Sequence, residues 1–201
     1  MKRLAAALLF TGMAMTSGVQ AETVNLKNSK VEWTGAKVVG STHTGEVQIQ
    51  SADIKFKSGE PASAKIVIDM TSITNSDVKD PKWNKKLVDH LKDDDFFGTN
   101  KFKTSEIHIE KIHKADGKNY LLHGKLKIKD VTKPVKLKAV VASENKSSKT
   151  IKVNFKFDRT EFGIKYGSGS FFTGLGDKMI SDEVEIGVTL DVLKSEKFAS
   201  K

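Results

Sequence analysis

The sequence predicts an all-β fold of eight antiparallel strands, closed as a barrel or packed as a sandwich. The first observation is alternation. Ile151, Val153, Phe155 and Phe157 interleave with Lys152, Asn154 and Lys156, and a strand, which repeats every two residues, turns this into one apolar and one wet face. The second is recurrence of that register: Leu122, Gly124, Leu126 and Ile128 against His123, Lys125 and Lys127; Val135, Leu137 and Ala139 against Lys136 and Lys138; Val184, Ile186, Val188, Leu190 and Val192 against Glu185, Thr189 and Asp191. The third is turn chemistry between runs, since short connections favour antiparallel neighbours.

The expected strands follow in order. Val31 to Val39 comes first, with Val31 and Trp33 inward. Strict alternation would carry Lys37 inward as well, so Gly35 is expected to form a bulge that returns the charge to solvent. Gly45 to Lys57 and Ala62 to Met70 flank the turn Ser58-Gly59-Glu60-Pro61. Thr104 to Ile112 and Asn119 to Asp130 flank Asp116-Gly117-Lys118, and Asp130 to Pro134 leads into Pro134 to Ala142. Glu144 to Lys149 turns the chain into Thr150 to Asp158, and Glu183 to Leu193 closes the set.

Two segments break the alternation. Between Thr71 and Phe102, residues Pro81 to Lys92 read as a short helix with Trp83, Leu87, Val88 and Leu91 on one face. Arg159 to Asp182 is a glycine-rich excursion of the length that serves as a lid or mouth. Phe96, Phe97, Phe102, Phe162, Tyr166, Phe171 and Phe172 concentrate in these two segments. They either plug a barrel end or form an apolar portal, and the same loops can do both.

Residues 1–21 have the layout of a secretory signal: Lys2 and Arg3, an apolar stretch from Leu4 to Met15, and Val19-Gln20-Ala21 before a cut ahead of Glu22. A single domain, 22–201, is expected to be soluble and periplasmic, with no membrane span. The sequence has no cysteine, hence neither a disulfide framework nor a lipid-attachment thiol. Its net charge of +9 is carried by lysines mixed with carboxylates, and Arg159 is the sole arginine outside the leader. Nucleic-acid recognition leans on arginine and aromatic platforms, so these lysines are read as protection of strand surfaces and edges.

Catalytic signatures are thin. His43, His90, His108, His113 and His123 fall in different elements. His90 with Asp93, Asp94 and Asp95 lacks the alternating spacing of a calcium loop and is read as a polar helix end. Ser168 and Ser170 lie between glycines but outside the G-x-S-x-G elbow, and the same stretch fails the dinucleotide pattern. No catalytic residue, metal ligand or cofactor is assigned.

Ile68-Asp69-Met70-Thr71-Ser72-Ile73, His90 to Phe97, Val131-Thr132-Lys133-Pro134-Val135 and Asp158 to Ile164, in this order, resemble the YceI-like family of bacterial secreted proteins. The similarity runs from about Trp33 to Leu190 and includes Gly176-Asp177-Lys178 and Asp182-Glu183-Val184. The resemblance implies an eight-stranded antiparallel lipocalin-like barrel with a short helical excursion. Its lumen would be an apolar tunnel for an isoprenoid, quinone or fatty-acid-like chain, in a family without established catalytic residues. The sequence departs from the family's Lys-His and Met-Gly pairs between Trp33 and Gly45, and from its Tyr-Pro, which reads Phe102-Lys103 here.

The expected function is a non-catalytic carrier or scavenger, with a long-chain isoprenoid or other lipid-like ligand as partner and a homodimer allowed. Trp33, Ile66, Ile68, Met70, Leu126, Ile128, Val153, Phe155 and Phe157 are the expected lining, joined by Phe97, Phe162, Phe171 and Phe172 from the loops. Lys37 or His43 would meet a polar headgroup at the mouth. The alternative is a filled barrel serving as a stress-related interaction protein through its basic surface.

Overall fold

The computed structural model describes residues 21–57 and 60–194, so the predicted signal lies outside the described residues apart from Ala21. The strands are β1 (Ala21–Val24), β2 (Lys30–Ala36), β3 (Thr42–Lys57), β4 (Glu60–Asp69), β5 (Thr104–Lys114), β6 (Asn119–Ile128), β7 (Val131–Glu144), β8 (Ser148–Asp158) and β9 (Glu183–Leu193). From β2 onward each strand pairs antiparallel with the next, and β9 returns to β2. The result is a closed eight-stranded barrel of the lipocalin-like type, with one short helix, α1 (Pro81–Lys92).

Strands β1 and β2 share a single place in the wall. β1 bridges β3 and β9 through Thr23, which faces Asp53 and Leu193, and β2 bridges the same strands through Val31, which faces Val47 and Val188. A 3-10 turn at Leu26–Asn28 separates them. The Asp191 N–H beside this break donates to the Ser29 hydroxyl at 3.0 Å, and the Asn25 side chain donates to the Asp191 carboxylate at 3.1 Å. Side chains thus satisfy backbone and polar groups where the ladder stops.

All eight predicted strands form, with corrections at their ends. The first stops at Ala36, because the chain turns there: the Lys37 N–H donates to the Ser41 carbonyl at 2.9 Å, and Val38 and Val39 stand exposed. No bulge forms at Gly35, which pairs regularly with His43. Lys37 instead reaches the barrel rim, where solvent meets its ammonium group and burial costs nothing. The register shifts occur at Ile49/Ser51 and Lys55/Phe56 in β3–β4, Ile109/Lys111 in β5–β6, and Val141/Ser143 in β7–β8, where they bend strands as closure requires.

β7 begins at Val131 rather than Pro134, because Lys129 and Asp130 alone make the turn, Lys129 with a φ of 55°. Pro134 is tolerated inside the strand since β8 pairs with β7 only from Ala139 onward, leaving this half with one unpaired side. α1 matches its predicted range. The Asp80 carboxylate accepts from the N–H groups of Lys82 and Trp83 at 2.9 and 3.1 Å, and Pro81 occupies the first turn, where its missing N–H is harmless. Trp83, expected on the apolar face, is 57% exposed.

Candidate functional site

A cavity of about 300 Å³ opens at the barrel end covered by α1. Alternation in β2 sends Val31, Trp33 and Gly35 toward it, and Ile66 and Ile68 of β4, Leu126 and Ile128 of β6, and Phe155 and Phe157 of β8 complete much of the wall. Met70 and Phe97 also line it, as do Lys37 and His43. A deeper space of about 90 Å³ lies beyond, lined by Val153 together with Phe56, Leu137 and Leu190. Ile66, Ile107, Phe155 and Val188 border both spaces, which adjoin across these side chains inside the barrel.

The far end is polar. Lys149, which borders the deep space, pairs with Glu22 of β1 at 2.8 Å, and its ammonium nitrogen sits 4.8 Å from the centre of the Phe56 ring. Both charged side chains are 15% exposed. The outer cavity therefore opens toward α1, and the deep space ends beside an ion pair.

Three expected lining residues lie elsewhere. Phe162 is 2% exposed and packs its ring edge-on against Phe157 at 5.6 Å, inside a cluster with Leu126, Ile128 and Ile164. It fills space beside the diverging β7 and β8 instead of bordering the cavity. Phe171 and Phe172 are 48% and 49% exposed and point away from the lumen, because their N–H groups are held by the Ser168 carbonyl in a turn outside it.

Other wall residues lie outside the expected lining. Leu87 and Leu91 of α1, Phe96, Ile73, Ile107 and Ile180 face the cavity. The helical spacing of Leu87 and Leu91 marked a face in advance and Ile107 lies in the expected strand Thr104 to Ile112, whereas Ile73, Phe96 and Ile180 fall in the two irregular segments.

Arg159 is the main polar device near the site. It is 2% exposed, and its guanidinium donates from Nη1 to the Ile164 carbonyl at 2.8 Å, from Nε to the Ser181 carbonyl at 2.9 Å, and from Nη2 to the Ile180 carbonyl at 3.1 Å and Asp182 Oδ1 at 3.2 Å. Burial lowers its pKa, and the Asp182 and Asp158 carboxylates oppose that. Arginine's planar fork suits this many acceptors at once. It ties the end of β8 to both ends of the loop over the mouth.

At the other side of the mouth, His43 Nδ1 lies 2.8 Å from Asp77 Oδ2, while Asp77 Oδ1 accepts from the Thr44 N–H at 2.8 Å and from Asn75 Nδ2 at 2.6 Å. Burial opposes ionisation of Asp77, but these donors outweigh it and hold its pKa at about 2. The Asn84 side chain reaches back to the Asn75 and Val78 carbonyls at 3.0 Å each, which fixes α1 over the cavity.

At the helix end, His90 pairs with Asp95 at 3.0 Å and packs edge-on against Phe96 and Tyr166, while Asp94 pairs with Lys101 at 2.6 Å. Among the described residues no group of three or more His, Asp or Glu side chains is placed to hold a metal ion. Among the same residues no helix is long and apolar enough to cross a membrane.

A family model described as the YceI-like domain matches residues 23–192. The chain belongs to the YceI-like family. This YceI-like chain is similar to the crystal structure of Burkholderia cenocepacia BcnA, with 26% identity, a TM-score of 0.68, and coverage of 84% of this chain and 98% of that one. A polyisoprenoid binding domain from Saccharophagus degradans, implicated in plant cell wall breakdown, shares the fold at 12% identity and a TM-score of 0.64, covering 89% of this chain and 100% of that one. A Campylobacter jejuni YCEI protein does so at 19% identity and a TM-score of 0.57, covering 98% and 100%. No curated protein matches the chain.

Proposed function

We propose that this YceI-like protein is an exported, periplasmic carrier or scavenger that holds one long apolar chain in its barrel without converting it chemically. An isoprenoid, a quinone tail or a fatty-acid-like amphiphile fits this description. The observation that carries the reading is the cavity of about 300 Å³, whose walls are almost wholly aliphatic and aromatic and which adjoins a deeper space lined by Phe56 and Lys149. A filled barrel would leave no such space, which disfavours the purely structural alternative. The polyisoprenoid-binding description of the Saccharophagus domain agrees with it.

Affinity comes from removing the chain from water, about 0.8 kcal/mol for each buried methylene. The walls offer few polar groups, so they select for chain length and width rather than for a hydrogen-bonding pattern. Lys37 and His43, at the mouth, meet the polar headgroup. One copy encloses both spaces, so a homodimer is unnecessary for binding. Delipidated protein is expected to take up a polyprenol or a quinone at one per chain in native mass spectrometry. Failure to take up any quinone, polyprenol or fatty amide would sink the proposal.

A further inference from the structure

Beside the mouth, two loops carry apolar side chains that the fold leaves uncovered. Val38 and Val39 are 59% and 67% exposed at the β2–β3 turn, and Phe171 and Phe172 are 48% and 49% exposed in the loop before β9. Backbone bonds hold the loops together: the Val38 N–H donates to the Met179 carbonyl at 2.9 Å, the Ile180 N–H to the Gly167 carbonyl at 2.8 Å, and Lys37 bridges Ile180. Both Lys37 and Ile180 line the cavity, so this apolar ridge adjoins its opening.

Lysines flank the ridge. Lys165 Nζ sits 4.4 Å from the centre of the Phe171 ring, and Lys37 and Lys178 are exposed nearby in sequence. The carboxylates of the same loop are Glu161, which pairs with Lys133 at 3.8 Å, Asp177, which is exposed, and Asp182, whose oxygens are engaged by Arg159 and by the Ser170 hydroxyl at 2.7 Å. Exposed apolar tips flanked by ammonium groups, on a chain whose net charge of +9 is +7 without Lys2 and Arg3, complement a surface with an apolar interior and anionic headgroups. A second copy fits worse, because a two-fold contact through this ridge would set lysines against lysines.

We propose that the ridge formed by Val38, Val39, Phe171 and Phe172, flanked by Lys37, Lys165 and Lys178, docks the protein on an anionic lipid bilayer with the cavity mouth at the membrane surface. The side chains enter the headgroup boundary, and an apolar chain passes between bilayer and barrel without crossing bulk water. Arg159 keeps the loop in the shape that presents Phe171 and Phe172, while those rings take no part in lining the cavity.

The test is co-sedimentation of protein beginning at Glu22, so that the apolar leader plays no part, with vesicles of phosphatidylcholine containing roughly one-third phosphatidylglycerol, a membrane of moderate negative surface potential. Binding is expected at low salt, falling as salt rises, and weak on phosphatidylcholine alone. Replacing Phe171 and Phe172 together by Ser should weaken it about tenfold or more. Lys165→Glu or Lys178→Glu should cost about fivefold each. Leu121→Ser, an exposed apolar position at 40% on the barrel wall, should change nothing. Absence of binding to the anionic vesicles overturns the proposal, as does equal loss with Leu121→Ser, or a ridge-dependent dimer that binds no vesicle. The vesicles hold no isoprenoid, so failure here leaves the ligand-binding reading intact, and failure of ligand uptake leaves this one intact.

Discussion

Trp33 lies over Gly45, its cross-strand partner, and its indole Nε1 donates to the Thr74 carbonyl at 3.1 Å on the far side of that glycine. A Cβ at position 45 would stand 1.9 Å from the Thr74 oxygen and 2.7 Å from the indole. Gly45 therefore lets the segment leading to α1 approach the wall and fixes a ring that lines the mouth.

Gly45→Ala is expected to destabilise the protein by about 2 kcal/mol or more through overpacking. It should also shift Trp33 from its place, lowering affinity for a long apolar ligand. Thermal unfolding and tryptophan emission check the two effects separately.

Arg159→Met removes the donors to three carbonyls and leaves Asp182 without its cation. The expected cost is about 3 kcal/mol, read from denaturant unfolding. Arg159→Lys should recover little, because a single ammonium group cannot span the Ile164, Ser181 and Ile180 carbonyls and Asp182 together.

Asp77 makes stability depend on acidity. Its folded pKa of about 2 lies below its ordinary value of 3.8, so the unfolded chain takes up the proton first. The stabilisation is full above the unfolded value and is lost as pH falls through that window. Asp77→Asn should be less stable than the parent at neutral pH, and the gap should close below about pH 2. Thermal midpoints of both proteins across this range test it.

Val188 borders both the outer cavity and the deep space. Val188→Phe should close the boundary between them. Long chains should then lose affinity while short ones that stop above Val188 keep theirs, as titration with ligands of graded length would reveal.

Much of the barrel was legible because its strands bury one face. Alternation located Ile66, Ile68, Leu126, Ile128 and Phe155 in the wall, and the spacing of Leu87 and Leu91 marked the helix face over the mouth. β1 escaped notice because its few residues border the predicted leader and carry no repeat. Phe97, Phe162, Phe171 and Phe172 are the same residue type in irregular segments, yet the first lines the cavity, the second packs against Phe157 and the last two face solvent. Backbone bonds from Ser168 and the reach of Arg159 decide among these places, and neither leaves a periodic trace. The bulge expected at Gly35 rested on the cost of burying Lys37; the barrel ends where that lysine emerges, so the cost never arises.

The central claim is that the lumen holds one long apolar chain. Organic extraction and mass spectrometry of protein purified from its own host tests it most directly. A lipid with a long hydrocarbon or isoprenoid chain, near one per protein, is the predicted result. Protein that comes out of its host with no such lipid, its cavity empty or holding only water-soluble molecules, would contradict it.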